Sequence, residues 1–437
     1  MKNSELTVLV PQKSSRLLRI YVGLALLKKA KSKVDISLER GERDKLVKIQ
    51  RHIIPIQHNL SVVRSQRLPS LLKWAGGKEH ELRHILPLLP TFRHYYEPFV
   101  GGGAVFFSVQ AEKKFINDKS SELINLYKLV AENNFAFFQI LQSIISQWQY
   151  LSQFVETHAM YLSDLYKDYS IDKYTKEHMK EKIIEFIRCY IEEFRAMFPI
   201  HLEINVDNFI WEIEQNFVRK TTRMKKLEKK KGKLSEIGIL ENIESSFKSA
   251  FYMHLRYLYN KISEHAISTD IATAIFFFVR DNAYASMFRY NSQGKFNVPY
   301  GGISYNRKDL KRKISYLQSP EVRHHLANTV IENMDFEAFL QKYPPEANDF
   351  IFLDPPYDSE FSTYTQNEFS KLDQERLAYY LLNQCHAKFM LVIKNTPMIY
   401  ALYSSRGLNI QAFNKKYLVS FQDRNNRESE HLIITNF

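Results

Sequence analysis

The sequence has 437 residues, with 61 Lys and Arg against 48 Asp and Glu, which gives a formal net charge of +13 at pH 7. This basic balance favours a polyanionic partner such as nucleic acid, and the 45% hydrophobic content suffices for two or three domains. Two cysteines, Cys189 and Cys385, exclude a disulfide framework and a cysteine zinc site, and the histidines show no paired metal spacing, so we expect a reducing compartment and no metal.

Residues 1–70 predict a basic helical extension. The apolar run 20–27 is flanked by Arg and Lys, is far too short to span a bilayer and lacks a small-residue cleavage site. It therefore predicts a basic amphipathic helix, and we expect no membrane segment and a cytoplasmic protein. The extension would either pack on the surface without a separate activity or touch DNA or a partner.

Two blocks that contain glycines flank the first predicted strand. Just before it, residues 72–78 (LKWAGGK) place Trp74 and Lys78 around two glycines, although a basic loop with a packed tryptophan would give the same pattern. Residues 95–107 (YYEPFVGGGAVFF) predict a strand, a glycine turn and a helix. Glycines at 101 and 103 allow positive φ and a close approach of the backbone to a ligand, and a helix start offers free N–H donors.

The second predicted strand ends in a carboxylate, Asp118, which lies 15 positions after Gly103. In nucleoside-binding α/β sheets an acid at this place takes the two ribose hydroxyls. The alternative is an ordinary N-cap for a helix over 120–130. Because no P-loop lysine follows the glycines and the loop is not a full G-x-G-x-x-G, a phosphate-free nucleoside, S-adenosylmethionine, is favoured over ATP or NAD.

Long helical periodicity predicts a helical insertion over about 136–270. Within it, residues 219–233 (RKTTRMKKLEKKKGK) carry nine basic residues and one acid, which suits contact with DNA phosphates or a solvated helix end. Residues 284–302 then predict a recognition hairpin with a turn at 292–295. Arg289 and Asn291 carry the side chains best suited to bidentate reading of guanine and adenine. The alternative is a hairpin packed on the core.

The tetrapeptide Asp354-Pro355-Pro356-Tyr357 follows the apolar run 350–353 at a predicted strand end. The amino group of adenine is a poor nucleophile because its lone pair is delocalised into the ring. The Asp354 carboxylate and a main-chain carbonyl, most plausibly that of Pro355, would accept its two N–H groups and draw the lone pair back onto nitrogen, while Tyr357 would stack on the base. An ordinary strand followed by an Asp-Pro turn would give the same tetrapeptide.

Downstream, residues 388–395 predict a buried parallel strand and residues 431–435 a closing edge strand.

Five blocks in this order resemble the Dam-type (D12 class) DNA adenine-N6 methyltransferases: KWAGGK (73–78), EPFVGGG (97–103), ND (117–118), RYN (289–291) with FNVPYG (296–301), and DPPY (354–357). The resemblance covers about 71–135 and 270–437 and implies an α/β, Rossmann-like S-adenosylmethionine-dependent methyltransferase with a mostly parallel seven-stranded sheet and a recognition hairpin. The helical insertion departs from the shorter enzymes of the family, and residues 1–70 match nothing in its core. We therefore predict four regions: the extension 1–70, a cofactor half 71–135, a helical and target-recognition region 136–318, and a catalytic half 319–437.

The resemblance also implies functional residues. The catalytic block is Asp354, Pro355, Pro356 and Tyr357. Contacts to the methyl donor map to Trp74, Lys78, Glu97, Pro98, Phe99, Gly101, Gly103, Asp118, Asp335, Phe336 and Asp354, where the pair Asp335 and Phe336 is the short match to a contact with the donor's adenine. DNA contacts map to Arg289, Asn291, Lys295, Asn297, Pro299 and Tyr300.

Three alternatives stay open beside adenine-N6 methylation of double-stranded DNA. Cytosine-N4 methylation follows the same amine chemistry with a related tetrapeptide, and methylation of a protein amide would be expected to use Asn at position 354. A DNA-binding scaffold with an inactive methyltransferase core is the third alternative. A paired restriction endonuclease is inferred from the family only. Neither cysteine follows a proline, so the covalent cytosine-C5 mechanism has no evident nucleophile.

Overall fold

The computed structural model describes residues 67–74, 76–199, 202–287, 289–357, 369–416 and 428–437. The predicted extension, apart from its last four residues, lies outside this set, as does its amphipathic helix over 20–27. No helix in the described part of the chain combines the length and the apolarity needed to cross a membrane.

The strands form one seven-stranded sheet with the order β3-β2-β1-β4-β5-β7-β6. Their bounds are β1 His94–Glu97, β2 Lys113–Asn117, β3 Thr329–Glu332, β4 Phe350–Leu353, β5 Lys388–Lys394, β6 Asn409–Lys416 and β7 Glu428–Thr435. Strands β1 to β5 pair in parallel, whereas β7 is antiparallel to both β5 and β6. The predicted α/β fold with a mostly parallel seven-stranded sheet is therefore confirmed.

The described helices flank this sheet and fill the region between β2 and β3. They are α1 Leu82–Ile85, α2 Ser121–Ala131, α3 Phe135–Thr157, α4 Ala159–Ser170, α5 Lys176–Cys189, α6 Ile191–Ala196, α7 Val206–Lys231, α8 Glu236–Tyr259, α9 Thr269–Asn282, α10 Ile303–Asn306, α11 Leu310–Leu317, α12 Pro320–Ala327, α13 Phe336–Lys342, α14 Lys371–Asn383 and α15 Pro397–Tyr403. The predicted helical character of 136–270 is confirmed by α3 to α8.

Strand β4 is apolar and buried along its whole length, and β5 is apolar and buried between its terminal lysines, because both faces of the sheet are covered there. In β4, Phe350 and Phe352 face a core shared with α2 and the insertion helices, whereas Ile351 and Leu353 face a second core shared with α13, α14 and α15. This two-sided burial holds the carboxyl ends of the strands rigidly in place.

The basic run 219–233 forms the end of α7, which stops at Gly232 with a φ of +90°. Most of its cations are exposed, but Lys225 is buried and bonds to Asp172 and to the carbonyl of Tyr169. One of the nine basic residues therefore fixes the packing of α7 instead of facing solvent.

Two predictions about local structure are wrong. The glycine turn is followed by a short 3₁₀ turn, Phe106–Ser108, instead of an α-helix, because β2 begins at Lys113 and leaves no room for one. The last strand, β7, is not the edge strand: it inserts between β5 and β6, so that β6 forms that edge of the sheet.

Candidate active site

The site lies where the order of the strands reverses. Strands β1 and β4 are parallel neighbours, but β1 leads to β2 on one side of the sheet and β4 leads to β5 on the other. Such a switch point opens a crevice at the carboxyl ends of the two strands, where α/β sheets bind ligands. Glu97 ends β1 and Asp354 follows β4, so both acids stand at this crevice.

Lys78 joins the first glycine block to the DPPY tetrapeptide. Its ammonium forms an ion pair with Asp354 and donates to the Tyr357 hydroxyl and the Gly76 carbonyl, each at 3.0 Å. Lys78 is buried, whereas the Asp354 side chain keeps 19% of its surface exposed. The cation is therefore enclosed, and the carboxylate stays partly exposed.

Two buried ionisable groups at the switch point, Lys78 and Glu97, have raised pKa values. Burial lowers the pKa of Lys78, but the negative charge of Asp354 and the bonds to Asp354 and Tyr357 outweigh burial, so this pKa lies above the ordinary lysine value. Burial, reinforced by the charge of Asp354, raises the pKa of Glu97 well above its usual range although the Tyr95 hydroxyl lies 2.6 Å from its Oε2 atom. Asp354 thus pairs with a cation, and Glu97 retains its proton to higher pH.

The glycine turn and Asp118 form one unit. The Asp118 carboxylate accepts from the backbone N–H groups of Gly101 at 3.0 Å and Ser120 at 2.9 Å. Burial raises the pKa of Asp118. Ser120, not Asp118, is the N-cap of α2. The Lys119 N–H also interacts with this carboxylate. Because a carboxylate has about four acceptor sites, the three backbone donors leave at least one site for a ribose hydroxyl.

Trp74 closes one side of this turn. A side chain at Gly101, whose φ is +48°, would lie 2.9 Å from the Trp74 ring. The guanidinium of Arg280, a buried residue that our sequence reasoning missed, lies 5.6 Å from the ring centre. The close backbone approach that Gly101 allows is thus used against the Trp74 ring.

Asn117 is a second residue that sequence reasoning did not assign to the site. Its buried side chain donates to the carbonyls of Pro98 and Met334 and accepts from the Met334 N–H, all at 3.0 Å. Asn333 in turn donates to the Asp118 carbonyl at 2.8 Å. These bonds fasten the loops after β1, β2 and β3 to one another. An asparagine as the last residue of a predicted apolar strand was the feature of the sequence that could have indicated this role.

The predicted contact pair for the donor's adenine lies in the loop after β3. Asp335 caps α13 and pairs with Arg376 at 2.7 Å. Phe336 is buried, with its ring 5.5 Å from that of Phe99. The structure thus brings the Glu97 to Phe99 segment and the Asp335 to Phe336 segment together, with Asp335 already held by a cation.

The proline carbonyls differ in their partners. That of Pro356 accepts from the buried amide of Gln374 at 2.9 Å, which leaves Pro355 as the candidate acceptor for a substrate amine. Tyr357 is half-buried, and His431 of β7 meets its ring edge to face at 5.3 Å. The position of β7 inside the sheet therefore supports the predicted stacking residue.

The predicted recognition segment is an irregular hairpin held by the bridges Ala283 to Tyr300 and Tyr290 to Phe296. Arg289 is exposed and donates through Nε to the Asn297 side chain at 2.7 Å. Lys295 and Pro299 are also exposed. This edge of the hairpin presents the cations and amides that were predicted to contact DNA.

Two hairpin residues that were predicted to contact DNA are buried or bonded within the hairpin. Tyr300 is buried: its hydroxyl donates to Asn306 at 2.9 Å and its ring lies 5.5 Å from that of Trp148, so it supports the hairpin from beneath. The Asn291 side-chain oxygen accepts from the N–H groups of Gln293 and Lys295 at 3.0 and 2.9 Å. Bidentate reading of a base by Asn291 would require this turn to open.

The described residues fit a nucleoside-type donor better than a metal. They contain no group of three or more His, Cys, Asp and Glu arranged to hold an ion. The Asp118 carboxylate, the Trp74 ring and the glycine turn, which carries no side chains, form a cradle that a Cβ atom at position 101 would fill.

A family model described as D12 class N6 adenine-specific DNA methyltransferase matches residues 74–234 and 179–420. The type II methyltransferase M.CviBI of Paramecium bursaria Chlorella virus NC1A is 24% identical over 84% of this chain and 99% of its own length. The type II methyltransferase M1.LlaDCHI of Lactococcus lactis subsp. cremoris is 24% identical over 87% and 99%. The retron Ec67 DNA adenine methylase of Escherichia coli is 27% identical over 77% and 81%. The chain belongs to the D12 class of N6 adenine-specific DNA methyltransferases.

Proposed function

We propose that this DNA adenine-N6 methyltransferase acts at a specific site in double-stranded DNA and methylates an adenine that has been turned out of the helix into the crevice beside Asp354. The observation that carries this assignment is the position of the DPPY tetrapeptide: Asp354 and Tyr357 stand at the switch point, directly across from the glycine turn. Extraction of the base costs a few kcal/mol, which stacking on Tyr357 would partly offset.

S-adenosylmethionine, the donor that the family implies, would supply an electrophilic methyl group. Asp118, Trp74 and the glycine turn would bind it, with Lys78 at the boundary between the donor and Asp354. Asp354 and the Pro355 carbonyl would accept the two N–H groups of adenine and favour a pyramidal nitrogen as positive charge develops there. A strong base is not required, because the methylated ammonium is acidic and loses its proton after the transfer.

Lys78 has two tasks in this proposal. Its charge keeps the Asp354 carboxylate in place, because a buried ammonium and a carboxylate in contact favour each other's charged form. It also occupies hydrogen-bonding positions on Asp354 that a substrate amine needs. Adenine would therefore enter on the open side of the carboxylate, which is the side that the 19% exposure of Asp354 provides.

The test is methyl transfer from labelled S-adenosylmethionine to unmethylated DNA, followed by nucleoside analysis. We expect N6-methyladenine from the wild type and no product from Asp354→Ala, with donor affinity largely retained. Asp354→Asn preserves the side-chain shape beside Lys78 and guards against simple misfolding. Asp309→Ala, which alters an exposed N-cap, is the matched control and should keep full activity.

Contrary results would be clear. If the product were N4-methylcytosine, the target base would be cytosine instead of adenine. Donor binding without any DNA product would favour a scaffold. Turnover that persists in both Asp354 variants would remove Asp354 from the chemistry. The type II names of two relatives support a role as the modification enzyme of a restriction–modification system, with a cognate restriction endonuclease as a predicted partner.

A further inference from the structure

A cleft of about 250 Å³ lies between helices α7 and α8 and the recognition hairpin. Its lining includes Trp211, Glu212, Arg256, Tyr257, Lys261 and Lys295. Pockets for drug-sized ligands are roughly 300–1,000 Å³, so this cleft suits a smaller fragment such as one nucleotide. It combines aromatic rings with three cations and one acid, and it lies outside the methyl-transfer site.

The cleft is fastened to the hairpin. Arg256 donates to the Val298 carbonyl at 3.0 Å, and Tyr252 donates to the same oxygen at 2.9 Å. Asn260 donates to the Phe296 carbonyl at 2.9 Å and accepts from the Phe296 N–H at 2.7 Å. The insertion helices and the hairpin therefore present one continuous surface, with Lys295 belonging to both.

The charge of this surface favours an anion. Burial lowers the pKa of Arg256, and Arg219 and Arg289 lower it further, whereas Tyr252 and Glu212 raise it. Burial raises the pKa of Glu212, the one acid among the lining residues, and Glu264 pairs with Lys261 at 2.7 Å. The three cations of the lining thus exceed these two acids, and a polyanion such as the DNA backbone would stabilise the remaining positive charge.

Trp211 adds an exposed aromatic face. The residue lies on α7 at the rim of the cleft and keeps 53% of its surface exposed. Single exposed apolar residues are common, but a tryptophan at the edge of a cationic cleft is the arrangement with which proteins bind unstacked bases and sugars. The aromatic face and the cations together select a nucleotide over a simple anion.

We propose that this cleft binds a nucleotide at the edge of the DNA segment that the hairpin contacts, with Trp211 against its base or sugar and Lys261 and Lys295 at its phosphate. The inference rests on the proposed contact between the hairpin and DNA. It gives the helical insertion a direct part in recognising the substrate.

The experiment measures DNA affinity by fluorescence anisotropy over a range of salt concentrations, together with methyl transfer at limiting and saturating DNA. Stacking on an aromatic side chain is worth about 1–3 kcal/mol per base, so Trp211→Ala should weaken binding roughly 5- to 150-fold, whereas Trp211→Phe should restore most of it. Lys261→Gln should reduce the dependence of log affinity on log salt by about one unit.

Lys182→Gln is the matched control for charge, because Lys182 pairs with Glu185 at 2.9 Å just as Lys261 pairs with Glu264 at 2.7 Å, both three residues apart. It should change neither affinity nor salt dependence. In Trp211→Ala, turnover at saturating DNA and donor affinity should equal those of the wild type, because the cleft lies outside the methyl-transfer site.

Wild-type DNA affinity in Trp211→Ala and Lys261→Gln would overturn the inference, as would a change in self-association or protein binding with DNA affinity intact. A wild-type protein that transfers no methyl group to DNA would instead refute the proposed function. The two failures are therefore distinguishable.

Discussion

Replacement of Gly103 by alanine tests whether the glycine turn is fixed by both backbone conformation and close packing. Gly103 has a φ of +77°, and a Cβ atom there would overlap the Tyr127 hydroxyl and lie 3.0 and 3.1 Å from two Phe107 ring atoms. The left-handed conformation costs an L-residue roughly 1–2 kcal/mol. Overpacking adds about 1–3 kcal/mol. Loss of the hydrogen bond from Tyr127 to the Gly101 carbonyl adds about 1 kcal/mol.

Gly407 provides the matched control. Its φ is +72°, and a Cβ atom there would meet nothing within 4 Å. Gly407→Ala therefore costs only the free energy of placing an L-residue in the left-handed conformation. We expect Gly103→Ala to lower the free energy of unfolding by about 2–4 kcal/mol more than Gly407→Ala does. Urea denaturation measures this difference, and a titration with S-adenosylmethionine should show weaker binding for Gly103→Ala only.

The Tyr127 hydroxyl oxygen is the atom that a Cβ atom at position 103 would overlap, so it contributes most of the expected overpacking energy. Tyr127→Phe alone should cost about 1 kcal/mol for the lost hydrogen bond, and the double variant with Gly103→Ala should be less destabilised than the sum of the two single variants. Equal destabilisation by Gly103→Ala and Gly407→Ala, or strict additivity with Tyr127→Phe, would refute the reasoning.

Two further predictions concern the acids of the site. Because the folded-state pKa of Glu97 is raised, the native state binds a proton that the unfolded state releases above about pH 4.5, so wild-type stability should fall as pH rises from there toward the folded-state pKa, by up to about 1.4 kcal/mol per pH unit. Urea denaturation between pH 5 and pH 8 should show a steeper fall in the wild type than in Glu97→Gln, which keeps the other acids with raised pKa values, and parallel curves would contradict this. In Asp118→Asn, the amide nitrogen would face the N–H group of Gly101 or Ser120, so we expect a loss of about 1–3 kcal/mol in stability and at least roughly tenfold weaker donor binding. Asp309→Asn, at an exposed cap, is the control, and unchanged donor affinity in Asp118→Asn would argue against Asp118 as a donor contact.

The sequence alone predicted those parts of the site whose conformation follows from neighbouring residues in the chain. An apolar run that ends in a carboxylate marks a buried parallel strand and its carboxyl end, which is why β2 with Asp118 and β4 with Asp354 were found correctly. Glycines in a turn mark close backbone approach. Aromatic and apolar residues at helical spacing were enough to predict the helices between β2 and β3.

Only the tertiary structure decided which of these parts meet. The contacts of Lys78 with Asp354 and Tyr357, and of Asn117 with Met334, join segments more than 200 residues apart, and they depend on the order of the strands. The same holds for β7, which its sequence placed at the sheet edge and the fold placed inside. Tyr300 was predicted to contact DNA, yet it is buried because the insertion helices cover it. Local sequence fixes the conformation of a segment, whereas burial and pairing are set by distant segments that pack against it.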